Sequence, residues 1–257
     1  MDPAPAIGIG AGFAVVIGAN VMEGGNPMSL LEIAPILLVF GTTVLVTMAG
    51  GTMKDAKTAV ASAKRAFTGN AASAEELIPA VVDLAERARR EGLLALEDAV
   101  KGVDDDFLKR GVSLAVDGTD PEELREILES EVHAKKAADK HAAKFFNDMG
   151  GYAPTIGIIG TVMGLVHVLE NLSQPDKLGH LIAGAFVATL WGVMTANMIW
   201  LPVGSRLTRL SQIEAGRMEM VIEGVLAVQA GANPRVVAQR LNSLLPVHER
   251  DLEQKAA

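Results

Sequence analysis

The sequence lacks cysteine altogether and lacks charge over long stretches. The missing cysteine excludes disulfide bonds, thiol catalysis and cysteine-ligated metals. Asp, Glu, Lys and Arg are all absent from residues 3–22, 33–53, 149–169 and 178–205. A bilayer core of about 30 Å needs about 20 apolar helical residues, so each stretch is long enough to cross it. The chain, 49% hydrophobic and 21% charged, is therefore predicted to be an all-α membrane protein with four transmembrane helices.

The first uncharged stretch has the length of either a signal peptide or a retained helix. Met1-Asp2-Pro3 offers no basic region, and no A-x-A cleavage pattern lies at the end of the apolar stretch, before Glu23. We expect a retained transmembrane helix.

Basic residues are distributed unevenly along the chain. None precedes residue 54, 15 lie between residues 54 and 144, one is Lys177, and seven follow residue 205. Cytoplasmic loops carry the excess of Lys and Arg, so both termini and the segment 54–148 are predicted to be cytoplasmic. The net charge of −8 argues against a nucleic-acid partner.

Four parts follow from this pattern. They are an N-terminal transmembrane hairpin, a cytoplasmic helical insert, a second transmembrane hairpin and a cytoplasmic tail helix, over residues 1–53, 54–148, 149–204 and 205–257. Within the insert, apolar residues at three and four spacing predict a helix over 77–100, supported by a Glu86–Arg90 ion pair. Asp120 is the predicted N-cap, and Pro121 the first residue, of a long polar helix that runs into the third span.

No catalytic constellation accompanies these helices. The five histidines are scattered, and for His133 and His141 a solvated helix face is a better explanation than a metal site. The glycines of Gly8-x-Gly10-x-Gly12 precede no nucleotide-binding strand, so close helix packing explains them better. We expect neither an enzyme nor a bound cofactor.

The uncharged spans also constrain ion transport. A carboxylate in the middle of the membrane is the usual stepping stone for a proton or a sodium ion. Because the four stretches contain none, an ion-conducting complex of this chain would need the carboxylate from another chain.

Small and polar residues form narrow stripes on the last two spans. Gly157, Thr161 and Gly164 share a face of the third span, and Thr189 and Gly192 share one of the fourth. Such stripes predict close helix packing at the three glycines, with hydroxyls in the seam between the helices. The alternative is that each threonine only bonds the carbonyl four residues before it.

Several segments together resemble one family. Residues 151–172, 181–207 and 223–246, with RREGLLALED (89–98) and the segment 105–131, are similar to the MotA/PomA family of flagellar motor stator proteins, part of the MotA/TolQ/ExbB proton channel superfamily. The resemblance extends over almost the whole chain.

The resemblance implies a multi-pass protein of the bacterial inner membrane, in contact with lipid. It implies a ring, understood as a homopentamer, around a peptidoglycan-anchored stator partner, MotB/PomB, whose membrane helix carries the ion-accepting aspartate. Ion flow would turn the ring, and the insert would push on the rotor switch-complex protein FliG. The only small species would be the transported sodium ion or proton.

The resemblance also implies roles for individual residues. The ion path corresponds to Pro154, Thr161, Thr189 and Pro202. Sodium-driven members tend to have threonine at both threonine positions, so Thr161 and Thr189 are the expected sodium ligands and a sodium-driven stator is favoured over a proton-driven one. Rotor interaction corresponds to Arg89, Glu97 and Glu131.

Three alternatives remain at this point. A TolQ/ExbB-like proton channel protein shares the ring plan, but it has fewer spans, and its large cytoplasmic segment follows the first of them. A membrane scaffold without transport would need only the uncharged spans. A membrane-anchored enzyme is the least favoured, because the sequence offers no catalytic group.

Overall fold

The computed structural model describes residues 2–69 and 77–245, and the regular structure in these ranges is helical, without strands. This confirms the predicted all-α class. The helices are α1 (Ala4–Met22), α2 (Ile33–Ala49), α3 (Met53–Thr68), α4 (Leu77–Glu91), α5 (Leu96–Ala99), α6 (Asp106–Val116), α7 (Pro121–Glu170), α8 (Pro175–Thr195), α9 (Leu201–Gln229) and α10 (Pro234–Leu244).

Four helical stretches of the described chain are long and apolar enough to cross a membrane. They are Ala4–Met22, Pro27–Ala49 and parts of Pro121–Glu170 and Pro175–Gln229. Helix α2 itself, with 17 residues, is shorter than the uncharged stretch 33–53, because it ends at Ala49, before two glycines. Thr52 then caps α3 in a capping box with Asp55. The hydroxyl and amide of Thr52 hold the pKa of the Asp55 carboxyl below its ordinary value.

The helix predicted over 77–100 is interrupted. Gly92 has φ +84°, a left-handed conformation that ends α4 at Glu91 and favours glycine. Short turns and α5 follow. The predicted Glu86–Arg90 ion pair is not formed; Asp83 and Arg87 instead make a 3.0 Å pair of the same i,i+4 spacing and polarity.

The long polar helix is confirmed as α7, a single helix of 50 residues. Its predicted N-terminus is also confirmed, since Asp120 Oδ1 accepts a hydrogen bond from the amide of Glu122 at 2.9 Å. Pro154 lies inside this helix. A π-helical turn, Ala196–Trp200, follows α8 and leads into α9, whose second residue is Pro202.

The chain divides into two compact units. The first, which contains the described residues 2–69 and 139–210, includes α1, α2, α3 and α8 with α7 from residue 139 onwards and the start of α9. Its core near α3 is formed by Ala59, Ala66, Ala143, Phe146, Met149, Val203 and Leu207. Trp191 of α8 donates its Nε1–H to the carbonyl of Leu30 at 2.7 Å and lies against the rings of Phe13 and Phe40.

The second unit, which contains the described residues 77–138 and 211–245, has its own core. Here α10 packs on α4, and the buried side chains of α6 share one apolar core with those of the first part of α7 and the later part of α9. The largest fully buried side chains are Leu84, Leu96, Leu108, Leu124, Leu128, Ile222, Leu241 and Leu245. Gly111 of α6 allows a close approach, because an added Cβ would lie 3.1 Å from Val225 and 3.3 Å from Leu128.

Candidate ion-path site

The seam between α7 and α8 is closed by backbone contact between glycines. A Cβ added to Gly157 would lie 2.9 Å from the carbonyl oxygen of Ala188, and one added to Gly192 would lie 2.6 Å from the carbonyl oxygen of Ala153. Carbon atoms of real side chains do not approach backbone oxygens so closely, so the two helices meet at this separation only because both positions lack a side chain.

The same seam continues at Gly164. A Cβ there would lie 2.6 Å from the Cβ of Ala185. The three glycines predicted to pack helices therefore all lie where α7 faces α8. By contrast, a Cβ added to Gly8 or Gly10 of α1 would meet nothing within 4 Å, and only Gly12 of that motif has a close neighbour, Met198. Close packing within the described chain therefore explains Gly12 but neither Gly8 nor Gly10.

Thr161 and Thr189 lie against each other in the seam, each partly buried. Their hydroxyl oxygens are in direct hydrogen-bonding contact. The Thr161 hydroxyl also lies 2.9 Å from the carbonyl of Ala185 and 3.3 Å from that of Gly157, and the Thr189 hydroxyl lies 3.2 Å from the carbonyl of Gly157. Two hydroxyl and two carbonyl oxygens, here called the threonine cluster, therefore converge on one point between the helices.

The threonine cluster is more than the alternative considered for these residues, in which each hydroxyl bonds only the carbonyl four residues before it. A hydroxyl that only bonded back along its own helix would join no second helix. Thr161 does approach the carbonyl four residues before it, but its shorter contact is with Ala185 on α8. Hard cations are bound by oxygen ligands of this kind.

The two prolines lie in different local structures. Pro154 is inside α7. Because proline has no backbone N–H, the carbonyl of residue 150 lacks its usual hydrogen bond within the helix. Close by, the hydroxyl of Thr155 donates to the carbonyl of Tyr152 at 2.8 Å. Pro202 follows the π-helical turn, a helix form that is frequent at functional sites. It also lines a cavity of about 430 Å³ between α1, α3 and α9.

A second cavity of about 630 Å³ lies between α2, α7 and α8, on the α2 side of the seam. Its wall is mainly apolar, but Glu32 and His180 lie at its rim, with 3.8 Å between His180 Nδ1 and a carboxylate oxygen of Glu32. The sequence pattern placed Glu32 only in a loop before the second span. Its position at a cavity depends on tertiary packing and left no signal in the sequence.

The three predicted rotor residues have different surroundings. Arg89 and Glu97 are exposed, and neither forms an ion pair within the described chain. Glu131 is partly buried and forms a 2.5 Å ion pair with Arg110 of α6. The first two charges are available to another molecule, whereas the third is engaged within this one.

The described residues include no group of three or more His, Asp or Glu side chains placed to hold a metal ion. His133 instead approaches the carbonyl of Glu129 at 2.9 Å, on its own helix.

Comparison with known proteins identifies the family of this chain. It is 39% identical to motility protein A of Bacillus subtilis over 97% of this chain and 93% of that protein. The chain belongs to the MotA/PomA family of flagellar stator proteins. It is also 34% identical to chemotaxis protein PomA of Vibrio alginolyticus, over 98% of this chain and 99% of that one.

The family model of the MotA/TolQ/ExbB proton channel family matches residues 99–220 of this chain. That segment contains both prolines and both threonines of the candidate ion path. The matched family is one of ion channels and not of enzymes.

Solved structures agree with the MotA/PomA assignment. The C. jejuni MotAB structure aligns with a TM-score of 0.92 at 29% identity, over 96% of this chain and 97% of that one. The flagellar MotAB stator complex from Bacillus subtilis aligns with a TM-score of 0.89 at 39% identity, over 95% and 97%.

Proposed function

We propose that this chain is the ring-forming component of a bacterial flagellar stator, which converts ion flow into torque on the rotor. Support comes from the end-to-end similarity to motility protein A and to MotAB stator structures. The observation that carries the proposal is the threonine cluster, which gathers oxygen atoms between two helices that contain no carboxylate of their own along residues 149–169 and 178–205.

The carboxylate then comes from a partner. By analogy with the MotAB complexes, the partner is a protein of the MotB/PomB type, with an aspartate in its membrane helix. The chain forms a ring around it, a pentamer by family resemblance, with both termini and the insert in the cytoplasm. Arg89 and Glu97, exposed and unpaired in the described chain, would contact FliG by charge attraction.

Sodium is favoured over the proton as the transported ion. A sodium ion must exchange hydration water for oxygen ligands, whereas a proton needs only the aspartate and a water path. The threonine cluster offers such oxygens next to the backbone carbonyls of Gly157 and Ala185. Thr161 and Thr189 would be the ligands from this chain, with the remainder from the partner and from water.

The test is motor rotation in cells that lack their own stator and express this chain with its MotB/PomB-type partner. If the proposal holds, speed falls when sodium is replaced by potassium at constant ionic strength and is insensitive to a protonophore. The reverse pattern would assign the proton as the transported ion. Absence of rotation with a correctly inserted complex would favour the scaffold alternative.

A threonine substitution sharpens the same test. Thr189→Val keeps the shape of the side chain and removes one oxygen, so we expect half-maximal speed to need about tenfold more sodium, equivalent to about 1.4 kcal/mol, with speed at saturating sodium less affected. Thr155→Val is the matched control, since within the described chain its hydroxyl bonds the nearby carbonyl of Tyr152 and no other group. Equal sodium dependence of both variants would remove Thr189 from the ion path.

A further inference from the structure

Charged side chains connect α6 to α7 and α9 within the second unit. Arg110 of α6 pairs with Glu131 of α7 at 2.5 Å. Arg217 of α9 pairs with Asp105, the residue that precedes α6. A third pair at 3.1 Å, Lys135 with Glu214, joins α7 directly to α9. These six residues, here called the charge clamp, surround a cleft of about 310 Å³.

Asp105 has two roles in the charge clamp. One carboxylate oxygen accepts a hydrogen bond from the amide of Leu108 at 2.7 Å and so caps α6. The other oxygen faces the guanidinium of Arg217. The Asp105 side chain is only 5% exposed, so this pair is shielded from solvent far more than an ordinary surface pair. The start of α6 is therefore fixed to α9 through one side chain.

The apolar side of α6 is held as firmly. Gly111 faces Val225 of α9 and Leu128 of α7 at distances that leave no room for a methyl group without movement. Apolar contact thus holds one face of α6, while Asp105 and Arg110 hold its polar side. Such a doubly held helix resists both sliding and rotation on its neighbours.

We propose that the charge clamp transmits torque, and that Glu131 is a positioning residue within it and does not contact the rotor. The proposal rests on the stator function proposed above. Force received at Arg89 and Glu97 passes through α5 and the following turn to α6, and the clamp passes it to α7 and α9. Helix α7 also contains Thr161, and α9 also contains Pro202. The clamp thus links the insert to the helices of the ion path.

The test uses the full chain with its MotB/PomB-type partner in cells lacking a stator, and it counts stator units per motor and measures torque per unit. Arg110→Glu and Glu131→Arg each place like charges opposite each other, so each should lose torque per unit. The double exchange R110E/E131R restores the pair and should restore torque. Lys109→Glu is the matched control, because the one ion pair of Lys109 within the described chain is with Asp106 of the same helix, at 3.4 Å.

Two outcomes would overturn the proposal. If the double exchange stays as weak as Glu131→Arg while a charge reversal on the rotor restores torque, Glu131 contacts the rotor. If both single variants match Lys109→Glu in torque per unit, the clamp transmits no load. A wild-type chain that drives no rotation at all would instead contradict the stator function itself.

Neutral variants keep the test decisive if a reversed charge prevents assembly. Arg110→Gln and Glu131→Gln remove the attraction without creating repulsion. In a clamp, the double variant should lose no more torque per unit than either single one, since both break the same pair. Additive losses would show that the two residues act separately and would overturn the proposal.

Discussion

Helices α1 and α8 are similar in length and in apolar character, yet they differ in how much of their surface the rest of the chain buries. Helix α1, of 19 residues, has no buried residue, whereas α8, of 21 residues, buries Ala185, Val187, Ala188, Gly192, Met194 and Thr195. Apolar composition is enough to make a helix suited to a membrane. Close packing needs in addition that small residues on two helices face each other in register.

The largest effect is expected from closing the gap at the seam. Gly192→Ala would place a methyl group 2.6 Å from the carbonyl oxygen of Ala153, so α7 and α8 must separate. Overpacking of this kind costs about 1–3 kcal/mol, and the threonine cluster would be pulled apart with the helices. We expect loss of rotation and a lower melting temperature of the purified complex.

Gly179→Ala serves as the control for that variant, because Gly179 lies on the same helix and no atom of the described chain would lie within 4 Å of the added methyl group. If Gly192→Ala rotates the motor and unfolds like the wild type, α7 and α8 lie further apart in the working complex than in this structure.

A smaller effect is expected where α8 holds the first hairpin. Trp191→Phe keeps an aromatic ring beside Phe13 but removes the hydrogen bond to the carbonyl of Leu30. The expected loss is about 1 kcal/mol, measured by thermal unfolding of the solubilised complex. The Nε1–H of Trp200 is buried without a partner in the described chain, so Trp200→Phe loses no hydrogen bond and should cost less than Trp191→Phe. The opposite ranking of the two variants would refute this account.

The smallest effect is expected on α1. Gly10→Ala adds a methyl group that meets no atom of the described chain within 4 Å. Alanine favours a helix over glycine by about 0.5–1 kcal/mol, so rotation and stability should be unchanged or slightly improved. A severe defect would show that another molecule of the complex packs against Gly10.

The helices of this chain were largely predictable because their signals are local. Charge-free stretches indicated the four apolar helices, and an Asp-Pro pair indicated the start of α7. The break at Gly92 was missed because glycine is tolerated inside a helix at a cost of about 1 kcal/mol. The chain after it buries Leu96 completely, a tertiary contact that no local pattern reveals. The end of α2 was missed because Gly50 and Gly51 are as uncharged as the helix before them.

The candidate site was predictable only in part. Spacing placed Thr161 and Thr189 on stripes, but their contact depends on the relative register of α7 and α8, which no local pattern contains. The pairing of Glu131 with Arg110 joins residues 21 positions apart on different helices, so sequence alone could not separate Glu131 from Arg89 and Glu97.

The threonine cluster has one more property that follows from counting its hydrogens. Its two hydroxyl groups supply two hydrogens for hydrogen bonding. Four oxygens can accept them, namely the carbonyls of Gly157 and Ala185 and the two hydroxyl oxygens. The hydrogens can therefore be arranged in more than one way without moving any heavier atom. Towards a carboxylate the cluster can present an O–H, and towards a cation it can present lone pairs. The same two side chains are thus suited to both the empty and the occupied state of the aspartate that we propose for the partner.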